Sequence, residues 1–266
     1  MIKALLRRNL KAHYRLVLGF TLVLLMYFMV ILNMYDPVNP GIMGELAAFK
    51  LPPSLLAAFG FDLEATELAG FLGGYFYGML MIAFPMVLYI MLGNKLVARL
   101  VERGTMAAVL AAPVTRAQAA LTQAAFLLAC VFLQVAAITL AGLAASQWLF
   151  PGLMDIPAFL RLNLGALALH LLMSGISFFF SCLFSDTGRS LALGAGLPVF
   201  FLLTQMLSKT GARADVLKYL TPYTLFDPMA LVKGADALLP ALGLLLPGLA
   251  LYALGILVFN RKDLPL

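Results

Sequence analysis

His170 is an imidazole set inside a long apolar stretch that holds no Asp or Glu. A buried imidazole can relay protons or take a metal, but both tasks draw on several titratable groups placed together. With no acid near it in sequence, His170 reads better as a ring held by a hydroxyl or a backbone carbonyl. Cys130 and Cys182 also fall in apolar stretches. Two such residues are too few for a disulfide framework or a metal site, and they read as small hydrophobes. The patterns His-Glu-x-x-His, Gly-x-Ser-x-Gly and the phosphate loop Gly-x-x-x-x-Gly-Lys-Ser/Thr are all missing. Catalysis by this chain is therefore not expected, and any nucleotide hydrolysis would have to come from a partner.

A second group of residues is suited to docking. Lys95, Arg99 and Arg103 recur every four residues, while Leu96, Leu100 and Val101 line another face, so a helix should continue past the apolar stretch that precedes it. Gly104 fits a C-terminal cap and Thr105 a new N-cap, which predicts a short separate helix from Met106 to Ala112, stopped by Pro113. Thr115-Arg116-Ala117-Gln118 then has the spacing of a capping box, so the next helix should start at Arg116. The expected order is helix, short crosswise helix, helix.

The elements that carry these residues follow from where charge is absent. Residues 16–35, 68–94, 117–154, 162–185, 190–208 and 237–260 contain no Asp, Glu, Lys or Arg. Each run reaches the roughly 20 residues a helix needs to cross a hydrocarbon core about 30 Å thick. With 63% hydrophobic and 11% charged residues, too few polar groups exist to cover a water-soluble globule, so lipid must cover it. The runs are continuously apolar rather than alternating, which excludes a barrel and predicts an all-α integral membrane protein with six transmembrane helices. The spans are placed at about 16–35, 70–94, 122–147, 163–184, 190–208 and 238–259. The first window is too long for a secretory signal and lacks a small-residue cleavage pattern, so it is read as a retained helix.

Threading six spans with the N-terminus inside puts 12 of the 18 Lys and Arg in the cytosol and nine of the 12 acids outside, which sets both termini in the cytosol. The cations lie at membrane ends rather than on one basic face with interleaved aromatics, so anionic headgroups fit better than nucleic acid. Residues 1–15 set Lys3, Arg7, Arg8 and Lys11 against Leu5, Leu6 and Leu10, as an amphipathic helix lying in the interface would. The alternative is a plain topogenic charge cluster. An external segment, 36–67, carries Asp36, Glu45, Asp62, Glu64 and Glu67, with a short surface helix expected near Leu55 to Phe61. A second, 209–236, should form two short helices, Leu217 to Leu220 and Leu225 to Val232, with Thr221-Pro222 as cap and first turn. Ser185 to Arg189 is short enough only for a tight turn between spans four and five. Gly74 and Gly78 make a small-x-x-x-small pair suited to close packing of the second span.

Glu102-Arg103-Gly104-Thr105 followed by Leu110-Ala111-Ala112-Pro113-Val114-Thr115-Arg116 resembles the cytosolic element of ABC type-2 exporter permeases, the membrane subunits of bacterial ATP-binding-cassette transporters. Leu220-Thr221-Pro222-Tyr223 and Phe259-Asn260-Arg261-Lys262-Asp263-Leu264 are similar to two further signatures of that family, in the same order along the chain. The resemblance implies a half-transporter in the bacterial plasma membrane. Two permeases, as a homodimer or with a sister chain, would form the pathway, and separate ATPase subunits holding ATP and magnesium would dock beneath. The chain itself would carry no cofactor. On this reading the short helix is a coupling helix, and Arg99, Glu102, Arg103, Gly104, Thr105, Met106, Leu110, Pro113, Thr115 and Arg116 form the docking element. The uncharged bundle favours a hydrophobic or amphipathic cargo over an ion. Two other classes stand beside it: a membrane anchor or sensor that recruits a cytosolic regulator through residues 95–116, and an intramembrane enzyme using His170 or Asp186.

Overall fold

Nothing between Lys3 and Asn33 breaks a helix, since the segment holds no proline and its one glycine, Gly19, has open space around it. In the computed structural model this stretch forms a single 31-residue helix, α1 (Lys3–Asn33), about 46 Å long at 1.5 Å per residue. The separate interfacial helix expected over residues 1–15 is therefore replaced by the first turns of the first span. Side-chain bonds hold those turns to a neighbour: Ile2 N donates to Thr122 Oγ1 at 2.9 Å, and Asn9 Nδ2 donates to Gln123 Oε1. Leu5 and Asn9 face inward while Leu10 is exposed.

The structure describes residues 2–37, 52–58, 67–111, 113–211 and 214–263, the side chains of Pro53 and Leu110 excepted. The acids Glu45, Asp62 and Glu64, residues 59–61 of the expected surface helix, Ala112 and Leu264 lie outside it. Among the described residues every regular element is helical, and six helices are long and apolar enough to cross a membrane. This is the architecture of a multi-pass helical membrane protein. The short helix α2 (Pro53–Ala58) contacts the fifth span.

The second span departs from an unbroken helix. It opens as α3 (Leu68–Leu72), widens into a π-helical turn at Gly73–Tyr77, and resumes as α4 (Leu80–Leu96) after a non-helical Met79 with φ −138° and ψ −50°. Glycines at 73, 74 and 78 weaken the local helix, and π-turns occur as insertions of this kind. Gly74 and Gly78 thus lie across the insertion, where the 3.6-residue register that would stack them is lost. A second interruption follows at Val97 (φ −129°, ψ −71°), before α5 (Ala98–Glu102), so the expected straight projection past the span is kinked. The Ala98 N–H that the kink releases donates to Ser181 Oγ at 2.9 Å.

The short helix α6 (Thr105–Leu110) leads to the third span, α7 (Arg116–Leu149), whose exit exposes Trp148 as an interfacial anchor would. The fourth span, α8 (Ile156–Leu183), is capped by Asp155, which accepts from Ala158 N at 3.1 Å. A three-residue link then reaches the fifth span, α9 (Thr187–Ser208), where Asp186 caps Gly188 N and Arg189 N. The 209–236 segment forms two 3₁₀ turns, Asp215–Leu220 and Pro222–Leu225, and one α-turn, α10 (Pro228–Val232). The second of the two helices expected there is thus split at Asp227-Pro228, where the Asp227 carboxylate caps Met229 N and Ala230 N. The sixth span is α11 (Leu238–Arg261).

α8 is the central helix: 78% of its apolar window is buried, against 28% for α1 and for α11. Its closest neighbour is α11, which it meets glycine to glycine. A Cβ added at Gly175 would lie 2.7 Å from Gly248 O, and one at Gly248 would lie 2.9 Å from the Leu171 backbone. Small residues at such a crossing let backbones approach and gain dispersion contacts, which drive helix association in lipid where the hydrophobic effect does not. The opposite end of α8 is covered by the 209–236 segment, with Phe226 and Leu231 packed over Gly165 and Arg161 Nε donating to Leu231 O at 3.0 Å.

Candidate functional site

Two polar groupings stand out, one at an end of the bundle and one inside it. At the end, the start of α1 and the end of α11 both meet the first turns of α7: Ile2 N donates to Thr122 Oγ1, and Arg116 Nη1 donates to Lys262 O at 2.6 Å. Lys262 Nζ in turn donates to Cys182 O at 3.2 Å, and burial lowers its pKa below the ordinary lysine value. Arg116 is thereby engaged with the sixth span.

The connection itself is built from backbone punctuation. Gly104 adopts φ +67°, a left-handed conformation that costs an L side chain about 1 kcal/mol or more, and so ends α5 and turns the chain into α6. Thr105 does not cap α6 as expected. It occupies the first helical position, and its hydroxyl donates back to Leu100 O at 3.1 Å, satisfying a carbonyl at the end of α5. Met106 is buried and anchors the short helix, while Glu102, Arg103, Pro113 and Thr115 are exposed. Leu110 is the last residue of α6. Both bonds of the Thr115/Gln118 capping box are present at 3.2 Å, so α7 starts at Arg116 as its sequence implies.

Lys95, Arg99 and Arg103 form a ridge between two clefts. One, about 360 Å³, is lined by Asn94, Glu102, Thr187 and Leu191 in addition to the ridge. The Glu102 carboxylate accepts from the Thr187 hydroxyl, so this acid links α5 to the first residue of α9, and Asn94 Nδ2 reaches Thr187 O at 3.4 Å. The other cleft, about 310 Å³, is lined on its far side by Arg8, Asn9 and His13 of α1. Thr187 and Asn9 carried no sequence signal for these roles, because their partners lie 85 and 114 residues away.

Inside the bundle, His170 Nε2 lies 2.7 Å from Met81 O, which sets its ring proton on Nε2. Nδ1, which carries no proton, faces the Tyr89 oxygen at 3.3 Å, and the single proton of that hydroxyl goes to Gln134 Oε1 at 2.7 Å. The imidazole is thus held by the Met81 carbonyl, with the Tyr89 ring packed edge-on beside it. Among the described residues no group of three or more His, Cys, Asp or Glu could hold a metal. Cys130 and Cys182 are both free and buried.

The fold defines a helical membrane protein with a punctuated connection at one end. Neither the protein-family models nor the curated proteins contain a match to this chain.

Proposed function

We propose that this chain is the permease subunit of an ATP-binding-cassette exporter, one half of a transporter in the bacterial plasma membrane with both termini in the cytosol. The observation that carries the reading is the α5–α6–α7 connection. A left-handed Gly104 and a complete capping box at Thr115 hold a short helix at a set angle between two spans, and the buried Met106 fixes it to the bundle. Solubility alone requires none of this punctuation. A rigid element continuous with a span can pass the closure of a docked partner into the membrane, and charged flanks set its register.

In this reading a separate ATPase subunit supplies ATP and magnesium, and a second permease completes the pathway. Exposed Glu102 and Arg103 are the docking charges, and Glu102 additionally reports to α9 through Thr187. The cargo is hydrophobic or amphipathic, as an uncharged bundle favours, for example a peptide antibiotic, a drug or a lipid-like compound. Co-purification with a cytosolic ATPase tests the assignment. Replacing Glu102 and Arg103 should abolish ATP-dependent efflux while the chain still inserts. A chain that binds no ATPase, and instead captures a cytosolic regulator through residues 95–116, would be a membrane anchor.

A further inference from the structure

We infer that the cleft between the start of α1 and the α4–α5 ridge binds the phosphate group of an anionic membrane lipid. Four cationic side chains line its 310 Å³, Arg8 from α1 and Lys95, Arg99 and Arg103 from the ridge, with the His13 imidazole beside them, and no carboxylate lines it. None of Arg8, Lys95, Arg99 and Arg103 makes an ion pair or a side-chain hydrogen bond among the described residues. Like charges gathered around one cavity repel each other, and Glu102, on the other side of the ridge, is already bonded to Thr187, so an anion in this cleft would offset the remaining cost.

Asn9, which lines the floor of the cleft, is 3% exposed and donates to the fully buried Gln123 of α7, so this stretch of α1 is fixed in place beside the ridge.

The position of the cleft selects the source of the phosphate. Further along the face of α1 that carries Arg8, Ala12 and His13 come the half-buried Leu16 and Phe20 and then the exposed Val23 and Tyr27, which face the surroundings of the bundle. A lipid whose headgroup sat among Arg8, Lys95 and Arg99 would lay its acyl chains along this surface. A free phosphate would gain only the charge. Basic pockets between transmembrane helices are suited to lipid headgroups in this way. This inference does not depend on the exporter reading, because the cleft belongs to this chain alone.

The test uses the purified full chain, without any ATPase, in mixed micelles containing phosphatidylglycerol or phosphatidylcholine, with retained lipid counted by native mass spectrometry. The wild type should hold phosphatidylglycerol in preference to phosphatidylcholine. Each of Arg8→Gln, Lys95→Gln and Arg99→Gln should weaken retention about fivefold. Charge-matched single controls, Arg7→Gln, Lys11→Gln and Arg189→Gln made one at a time, should each leave it unchanged. Arg8 is exposed at the surface of α1, so its substitution is the arm least exposed to folding artefacts. Equal loss in the controls would overturn the site, as would equal retention of the two lipids. Displacement by millimolar inorganic phosphate would overturn the lipid as the source and leave a free-anion site.

Discussion

His170 donates to Met81 O, the carbonyl that Pro85 leaves without its helical partner. In an α-helix the N–H of residue 85 would bond to the carbonyl of residue 81, and proline has no N–H to give. An unpaired carbonyl in a bilayer costs several kcal/mol, so a donor from a neighbouring helix takes its place. The same relation recurs one span away. Pro198 in α9 frees Gly194 O, and Ser177 Oγ donates to it at 2.8 Å. With Ser181 accepting from Ala98 N at the Val97 kink, three breaks in two spans are repaired from one helix. His170, Ser174, Ser177 and Ser181 follow one another by four, three and four residues, a single stripe along α8.

The first prediction is a coupling between His170 and Pro85. His170→Ala should lower stability by about 1–2 kcal/mol in the native background. In a Pro85→Ala background the restored N–H supplies Met81 O, and the same change should cost about 1 kcal/mol less. Unfolding in denaturing detergent, followed for the four chains of the cycle, measures the difference; purely additive effects would refute the relation.

Ser177→Ala removes the donor to Gly194 O and should destabilise by about 1 kcal/mol, whereas Ser177→Thr keeps the hydroxyl. Thermal unfolding of the two variants separates the bond from the packing. If Ser177→Thr loses as much as Ser177→Ala, crowding against α9 rather than the hydrogen bond governs the position.

Close approach of α8 and α11 predicts intolerance to even one methyl group. Gly175→Ala and Gly248→Ala should each cost about 1–3 kcal/mol, because a Cβ at either site meets backbone, which cannot rotate away. Gly196→Ala, with nothing near its Cβ position, should be neutral or mildly stabilising. Midpoints of detergent unfolding rank the three.

Gly104→Ala should strain the left-handed turn by about 1 kcal/mol and tilt α6, while leaving insertion of the spans intact. Under the exporter reading it lowers ATP-dependent transport more than it lowers expression. Cysteine accessibility on both sides of sealed vesicles, measured at position 105, reports whether the connection faces the ATPase side; labelling from the opposite side would remove the coupling role.

The sequence by itself determined what can be read from intervals of charge and from short-range punctuation. Charge-free runs set six spans because a charge in hydrocarbon is expensive, and Thr115 with Gln118 set the start of α7 because capping joins residues three apart. Gly104 was likewise legible, though Thr105 was not, since its hydroxyl turned back to the helix before it. Only the tertiary structure decided the rest. The interruption of the second span, the repair of Pro85 and Pro198 from α8, and the link from Glu102 to Thr187 join residues 17 to 89 positions apart. A proline announces that a carbonyl is lost, but the chain offers many hydroxyls and rings that could answer it. Which one does so depends on which helices pack together, and in lipid that is settled by shape and by satisfied polar groups, which leave no periodic trace in sequence.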